Sequence, residues 1–167
     1  MIYTKLLFGH FIISIISILA MAGIIEVLNE RCSNMVACNF TLINIIWIVL
    51  LIIFLCAYVL NGYVSTKNKE VWYKYYSVAF IGILFWMICF AVAPKSTNYK
   101  SGEGDIWFLY EFFIVAKSPT NFILDSDEKY SLSFDLFQKF IFPILFSSFQ
   151  YLGGRLKMRR ITNSNAS

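Results

Sequence analysis

An all-α membrane fold of four helices is predicted by three observations: four long apolar runs, a one-sided distribution of basic residues, and aromatic rings gathered at one end of the runs. The runs are 6–28, 42–60, 77–93 and 134–152, each of 17 to 23 residues. At about 1.5 Å per residue, each can cross a hydrocarbon core of roughly 30 Å. The chain of 167 residues is 59% hydrophobic, 19% aromatic and only 14% charged, which lies outside the range of ordinary soluble domains and fits a single compact membrane domain.

The first run, 6–28, carries features of a signal peptide, since Lys5 precedes it and Ala20-Met21-Ala22 imitates a small-x-small cleavage site. The run nevertheless continues through Gly23, Ile24 and Ile25, beyond the length of a signal core, and is read as the first span. The second and third runs are joined by a short hairpin, 65–70, rich in lysine.

Four consecutive spans would place Lys5, Lys67, Lys69, Lys74, Arg155, Lys157, Arg159 and Arg160 on one side with Glu70 as the single acid. That side carries +7 and the other −3, within an overall formal charge of +4. Loops rich in Lys and Arg stay in the cytoplasm, so both termini are expected there. Trp72, Tyr73, Tyr75, Tyr76 and Tyr63 crowd the same side, where amphipathic rings favour the headgroup level.

The first outer loop, 29–40, is short, whereas the second, 94–133, is the one sizeable outer piece. Within it the stretch 106–116 is apolar almost all round, yet as a helix it would reach only about 16 Å. A fifth span prolonged through Leu124 would bury Lys117 and Pro119, and would send the Arg155 to Arg160 cluster outside. The expectation is therefore a short apolar helix lying in the outer interface or folded onto the bundle. Its rings and acid, Trp107, Phe108, Tyr110, Glu111, Phe112 and Phe113, are candidates for partner contact. No internal repeat or paired broken span points to a transporter. The tail 161–167 is polar and expected to be disordered.

Few residues carry chemistry. One histidine, His10, excludes a bis-imidazole haem and a multi-histidine zinc site by counting, and no cofactor is expected. His10 lies above Lys5, and helical side chains tilt toward the N-terminus, so it is expected to reach back to the cytoplasmic headgroups. Glu26, near the outer end of the first span, tilts inward and needs neutralisation, water or a partner such as Lys139. Asp135 and Lys139 are spaced for a helical ion pair, with Lys139 snorkelling to outer water. Pro143 should kink the helix just below. Helix contacts are expected at Ser14, Ser17, Ala20, Gly23, Asn44, Asn61, Ser77, Gly82, Ser147 and Ser148.

Cys32 and Cys38 in the first outer loop leave a structural disulfide open, because spacing alone does not settle pairing. Four spans with inward termini resemble the quinone-linked thiol oxidases of the DsbB type, but that family's redox pair is C-x-x-C, with a second pair in the second outer loop. Here the spacing is C-x5-C and the long loop holds no cysteine. Cys56 and Cys89 lie within spans, where a thiol is a small apolar filler. The basic run 155–160 is explained by its place beside a span and implies no nucleic acid.

In span number, size and inward termini the chain resembles two bacterial families: superinfection exclusion proteins of temperate phages, the SieA type in particular, and immunity proteins against pore-forming colicins. The opening Met1-Ile2-Tyr3-Thr4-Lys5 and the following span are similar to the first of these. That resemblance implies a non-enzymatic protein of the bacterial inner membrane, made by a prophage, that stops incoming phage DNA from crossing. Its partners would be the lipid bilayer and a phage, toxin or host membrane protein. The concentration of outer residues in 94–133 favours exclusion over immunity, with an accessory subunit of a larger membrane complex as a third class.

Overall fold

The structure, a computed structural model, describes residues 2–33, 40–67, 71–92, 105–124 and 132–164. The described residues are helical almost throughout. Helix α1 is Ile2–Ser33, α2 Phe40–Ser65, α3 Ser77–Val92, α4 Asp105–Phe113, α5 Pro119–Leu124 and α6 Leu132–Ser164, with 3₁₀ turns at Trp72–Tyr76 and Val115–Lys117. Three stretches, Ile2–Glu30, Thr41–Ser65 and Trp72–Val92, are long and apolar enough to cross a membrane. Large apolar side chains project outward along all three, among them Phe8, Leu19, Ile52, Leu60 and Phe80. That is the surface expected of helices solvated by lipid.

Helix α6 is different. It is the least apolar of the long helices, and it sits at the centre of the bundle against α2, α3 and the turn before α3. Because its neighbours are protein, its polar side chains find partners there. Ser147 Oγ accepts a 2.8 Å hydrogen bond from the Ala79 backbone N–H, capping one of the N–H groups that the first turn of α3 leaves open. Gln150 Nε2 donates to the Leu6 carbonyl at 3.2 Å, and Asn61 Nδ2 donates to the same oxygen at 3.0 Å. One carbonyl on α1 thus ties in side chains from α2 and α6.

Helices α2 and α6 touch backbone to backbone. A Cβ on Gly62 would overlap the Gln150 carbonyl, and one on Gly153 the Val59 carbonyl, so two facing glycines permit a crossing that any side chain would forbid. Gly82 is equally occupied, by Pro143 and Phe113. Gly23 meets nothing and Asn44 is exposed, which corrects their expected place among the helix contacts; Ser14, Ser17, Gly82 and Ser147 are buried as expected.

The loop between α2 and α3 is pinned by Thr66. Its hydroxyl donates to the Gly62 carbonyl at 2.8 Å and therefore accepts from the Tyr75 phenol at 2.7 Å. Tyr75 is consequently buried, while Trp72 and Tyr73 stay exposed. At the far end of the chain α6 continues to Ser164, so residues 161–164 are helical where a disordered tail was expected.

Candidate functional site: a hairpin seated in the bundle

Of the two places expected for the apolar stretch, the outer interface or the bundle, it takes the second. Helix α4 packs against α3 and α1, the following 3₁₀ turn against α1 and α2, and α5 against α2. Tyr110, Ile114, Ala116 and Lys117 have no solvent exposure, and Phe113 retains 6%.

Side-chain contacts fix its path. Trp107 lies by Lys139, Tyr110 reaches the Lys139 backbone, and Phe113 meets Pro143 across Gly82 and the His10 ring at 4.4 Å. Descending from 107 to 113 therefore follows α6 toward its C-terminal end. Phe122 then stacks on Trp47 at 4.3 Å, whereas His10 at the Phe113 level bonds Tyr58. Trp47 and Tyr58 are eleven residues apart on α2, about 16 Å along its axis. The chain goes down and comes back.

The turn forms where α4 breaks at Ile114, whose φ of −104° and ψ of 16° leave the helical region. Its backbone groups are satisfied locally: Ile114 N–H bonds the Tyr110 carbonyl at 3.1 Å, Lys117 N–H the Ile114 carbonyl at 2.9 Å, and Ser118 N–H the Val115 carbonyl at 2.8 Å. Thr120 Oγ1 adds a 2.7 Å bond to the Lys117 carbonyl. Pro119 opens α5 at a position where no N–H is needed. Irregular backbone at such depth is tolerated when it is buried in protein and internally bonded.

One ion pair holds the hairpin to α6, and a second lies within the hairpin itself. Glu111 Oε1 is 2.7 Å from Lys139 Nζ, and Glu111 Oε2 is 3.8 Å from Lys117 Nζ. Lys139 Nζ also lies 5.2 Å from the centre of the Trp107 ring, a cation–π distance. Lys139 is only 5% exposed, so it does not snorkel to outer water; the carboxylate it needs is delivered by the hairpin. Lys117 and Pro119, whose burial argued against a fifth span, are both buried, but in a turn that reverses within the bundle.

Pro143 explains another contact. Within a helix the Lys139 carbonyl would accept from the N–H four residues on, and proline has none. The Tyr110 hydroxyl takes that place, donating to the Lys139 carbonyl at 2.8 Å. Tyr110→Phe should therefore cost about 1–3 kcal/mol by orphaning a buried acceptor. The same change should cost less in a Pro143→Ala background, where the helix supplies its own N–H. A double-mutant cycle from unfolding in mixed micelles checks this, and equal costs in both backgrounds would refute the assignment.

Beneath the tip lies a polar pair. His10 Nδ1 and the Tyr58 hydroxyl are 2.8 Å apart, both side chains fully buried. Tyr58 stacks on Phe146 at 4.4 Å. His10 was expected at the headgroups; instead it points into the bundle, because Tyr58 offers a partner there and Phe113 covers its face. His10 Nε2, by contrast, has no hydrogen-bond partner among the described residues. The arrangement is a single hydrogen bond between an imidazole and a phenol, with the Phe113 ring packed against the imidazole.

The other sequence candidates are scattered. Glu26 is exposed on α1 with no ion pair among the described residues, and Lys139, its suggested partner, binds Glu111. Phe112 is exposed, and Trp107 packs partly buried against the core. The side chains of Cys32, Phe108 and Asp135, and all of Cys38, lie outside the described residues. Cys89 is buried and Cys56 exposed, both as free thiols. Among the described residues no group of three or more His, Cys, Asp or Glu is placed to hold a metal ion. Tyr58 and Gln150 carry no expectation from the sequence, and Lys117 enters there only as an argument against a fifth span. A phenol or amide inside an apolar run is the signal that would have found Tyr58 and Gln150, whereas Lys117 became a site residue only through the reversal at Ile114.

Set against protein-family models, curated proteins and solved structures, the chain matches none of them.

Proposed function

We propose that this is a multi-pass protein of a bacterial inner membrane, with four membrane-crossing helices and both termini cytoplasmic, that blocks superinfecting phage DNA by contact and without catalysis. The observation that carries this reading is the use to which the interior polar groups are put. Asn61, Gln150, Ser147, Tyr110 and the Glu111 carboxylate all bind the protein's own backbone or charges, as cohesive groups in a membrane bundle do. The 33 residues of α6 reach about 50 Å, which supports counting it as the fourth span, shielded by the other helices from lipid.

A second reading, immunity to a pore-forming toxin, is favoured by the seating of the hairpin. The concentration of residues in 94–133 argued for outer recognition, but the apolar half of that loop is folded into the bundle. Recognition by helix faces within the bilayer fits this arrangement better.

Cells producing the protein should plate superinfecting phages at strongly reduced efficiency while phage DNA delivered by electroporation replicates normally. A reporter fused after Arg160 should be active only in its cytoplasmic form. Normal plating together with survival of a pore-forming colicin would select immunity instead. Normal plating with full colicin killing would defeat both readings, and a periplasmic reporter would defeat the four-span arrangement.

A further inference from the structure

Two grooves meet at Trp72. The first, about 670 Å³, opens between the turn before α3 and the last part of α6, and its lining includes Trp72, Tyr75, Tyr151, Arg155, Met158 and Arg159. The second, about 660 Å³, is almost wholly apolar and runs from Trp72 along α3 past Tyr76, Phe80 and Ile83. Both volumes fall in the range of small-molecule sites.

The first groove has a cationic wall. Arg155 and Arg159 are four residues apart on α6 and so share one face; both are exposed, and neither pairs with an acid among the described residues. Arg155 lies 5.9 Å from the Tyr151 ring centre. The Tyr75 ring rests where a side chain on residue 154 would otherwise stand. The remaining bases of this cluster serve another face: Arg160 donates to the Tyr63 hydroxyl at 3.3 Å, and Lys157 Nζ lies 5.5 Å from the Tyr63 ring centre. A paired guanidinium wall joined at one indole to an apolar channel is complementary to an amphiphile with an anionic head.

We infer that the two grooves bind one anionic phospholipid, its phosphodiester between Arg155 and Arg159 and an acyl chain along α3 beyond Trp72. The site rests on the membrane reading above and would hold the α3 and α6 ends together at the headgroup level. Diffuse attraction to an anionic leaflet treats all four bases of the cluster alike; a site separates Arg155 and Arg159 from Lys157 and Arg160.

The test uses the full chain in neutral detergent, titrated with phosphatidylglycerol carrying brominated acyl chains, with tryptophan fluorescence as the readout. Saturable quenching is expected, much weaker with brominated phosphatidylcholine, and its saturable part should vanish in Trp72→Phe. Arg155→Gln/Arg159→Gln should weaken it roughly 30-fold, whereas Lys157→Gln/Arg160→Gln, which removes the same charge, should weaken it several-fold less. Equal weakening by the two double variants would overturn the site, as would equal quenching by phosphatidylcholine. Abolition by excess inorganic phosphate would replace the lipid with a soluble anion. If the Arg155/Arg159 double variant fails to fold, Trp72→Phe and the phosphatidylcholine arm still decide. Extraction of the unaltered protein into the soluble fraction by alkaline carbonate would sink the membrane reading itself, a result distinct from each of these.

Discussion

Gly153→Leu is expected to abolish the folded protein. Any side chain at this position overlaps the Val59 carbonyl on α2, and backbone cannot yield as a flexible side chain does. Relief requires α2 and α6 to separate, which breaks the most extensive helix contact among the described residues. The loss should exceed about 4 kcal/mol, the range reserved for core disruption. Gly23→Leu is the matched control, since nothing lies near a Cβ there, and it should stay within about 0.5 kcal/mol of the parent. Size-exclusion profiles and thermal midpoints in detergent read the difference, and a Gly153→Leu protein as monodisperse as Gly23→Leu would refute the close crossing.

Glu111→Gln should produce the next largest loss. The change keeps the shape of the side chain but withdraws the carboxylate that Lys139 and Lys117 both approach. Removing one member of a buried pair typically costs 3–5 kcal/mol. The Glu111 side chain is 37% exposed, so partial hydration places the loss at the lower end, about 3 kcal/mol. Adding Lys139→Met should restore much of it, because the uncompensated cation then goes too. Unfolding in mixed micelles measures both variants. A Glu111→Gln protein within about 0.5 kcal/mol of the parent, or no recovery in the double variant, would mean that the hairpin is held by its ring packing and the Tyr110 hydrogen bond without the ion pair.

Legibility from sequence divided along a physical line. The apolar runs at 6–28, 42–60 and 77–93 were readable because lipid-facing helices are apolar on most of their circumference and need no partner to explain it. Pro143 was readable as a break in the bonding of α6, although the residue that answers it, Tyr110, was not. His10 and Lys139 were misplaced for one reason. Snorkelling is the best solution for a polar side chain on a lone helix, and both side chains have better partners in the assembled bundle.

Composition and spacing by themselves determined the all-helical class, the positions of the long helices and the counting limits on metal and haem chemistry, since each depends on local length, hydropathy or residue number alone. Only the tertiary structure decided that 105–124 returns through the bundle, that the polar helix α6 belongs at its centre, and that Glu111 meets Lys139 and His10 meets Tyr58. Those pairings join residues 28 and 48 positions apart in the chain. Their stability comes from the desolvated space the other helices create, which no periodicity within one segment records.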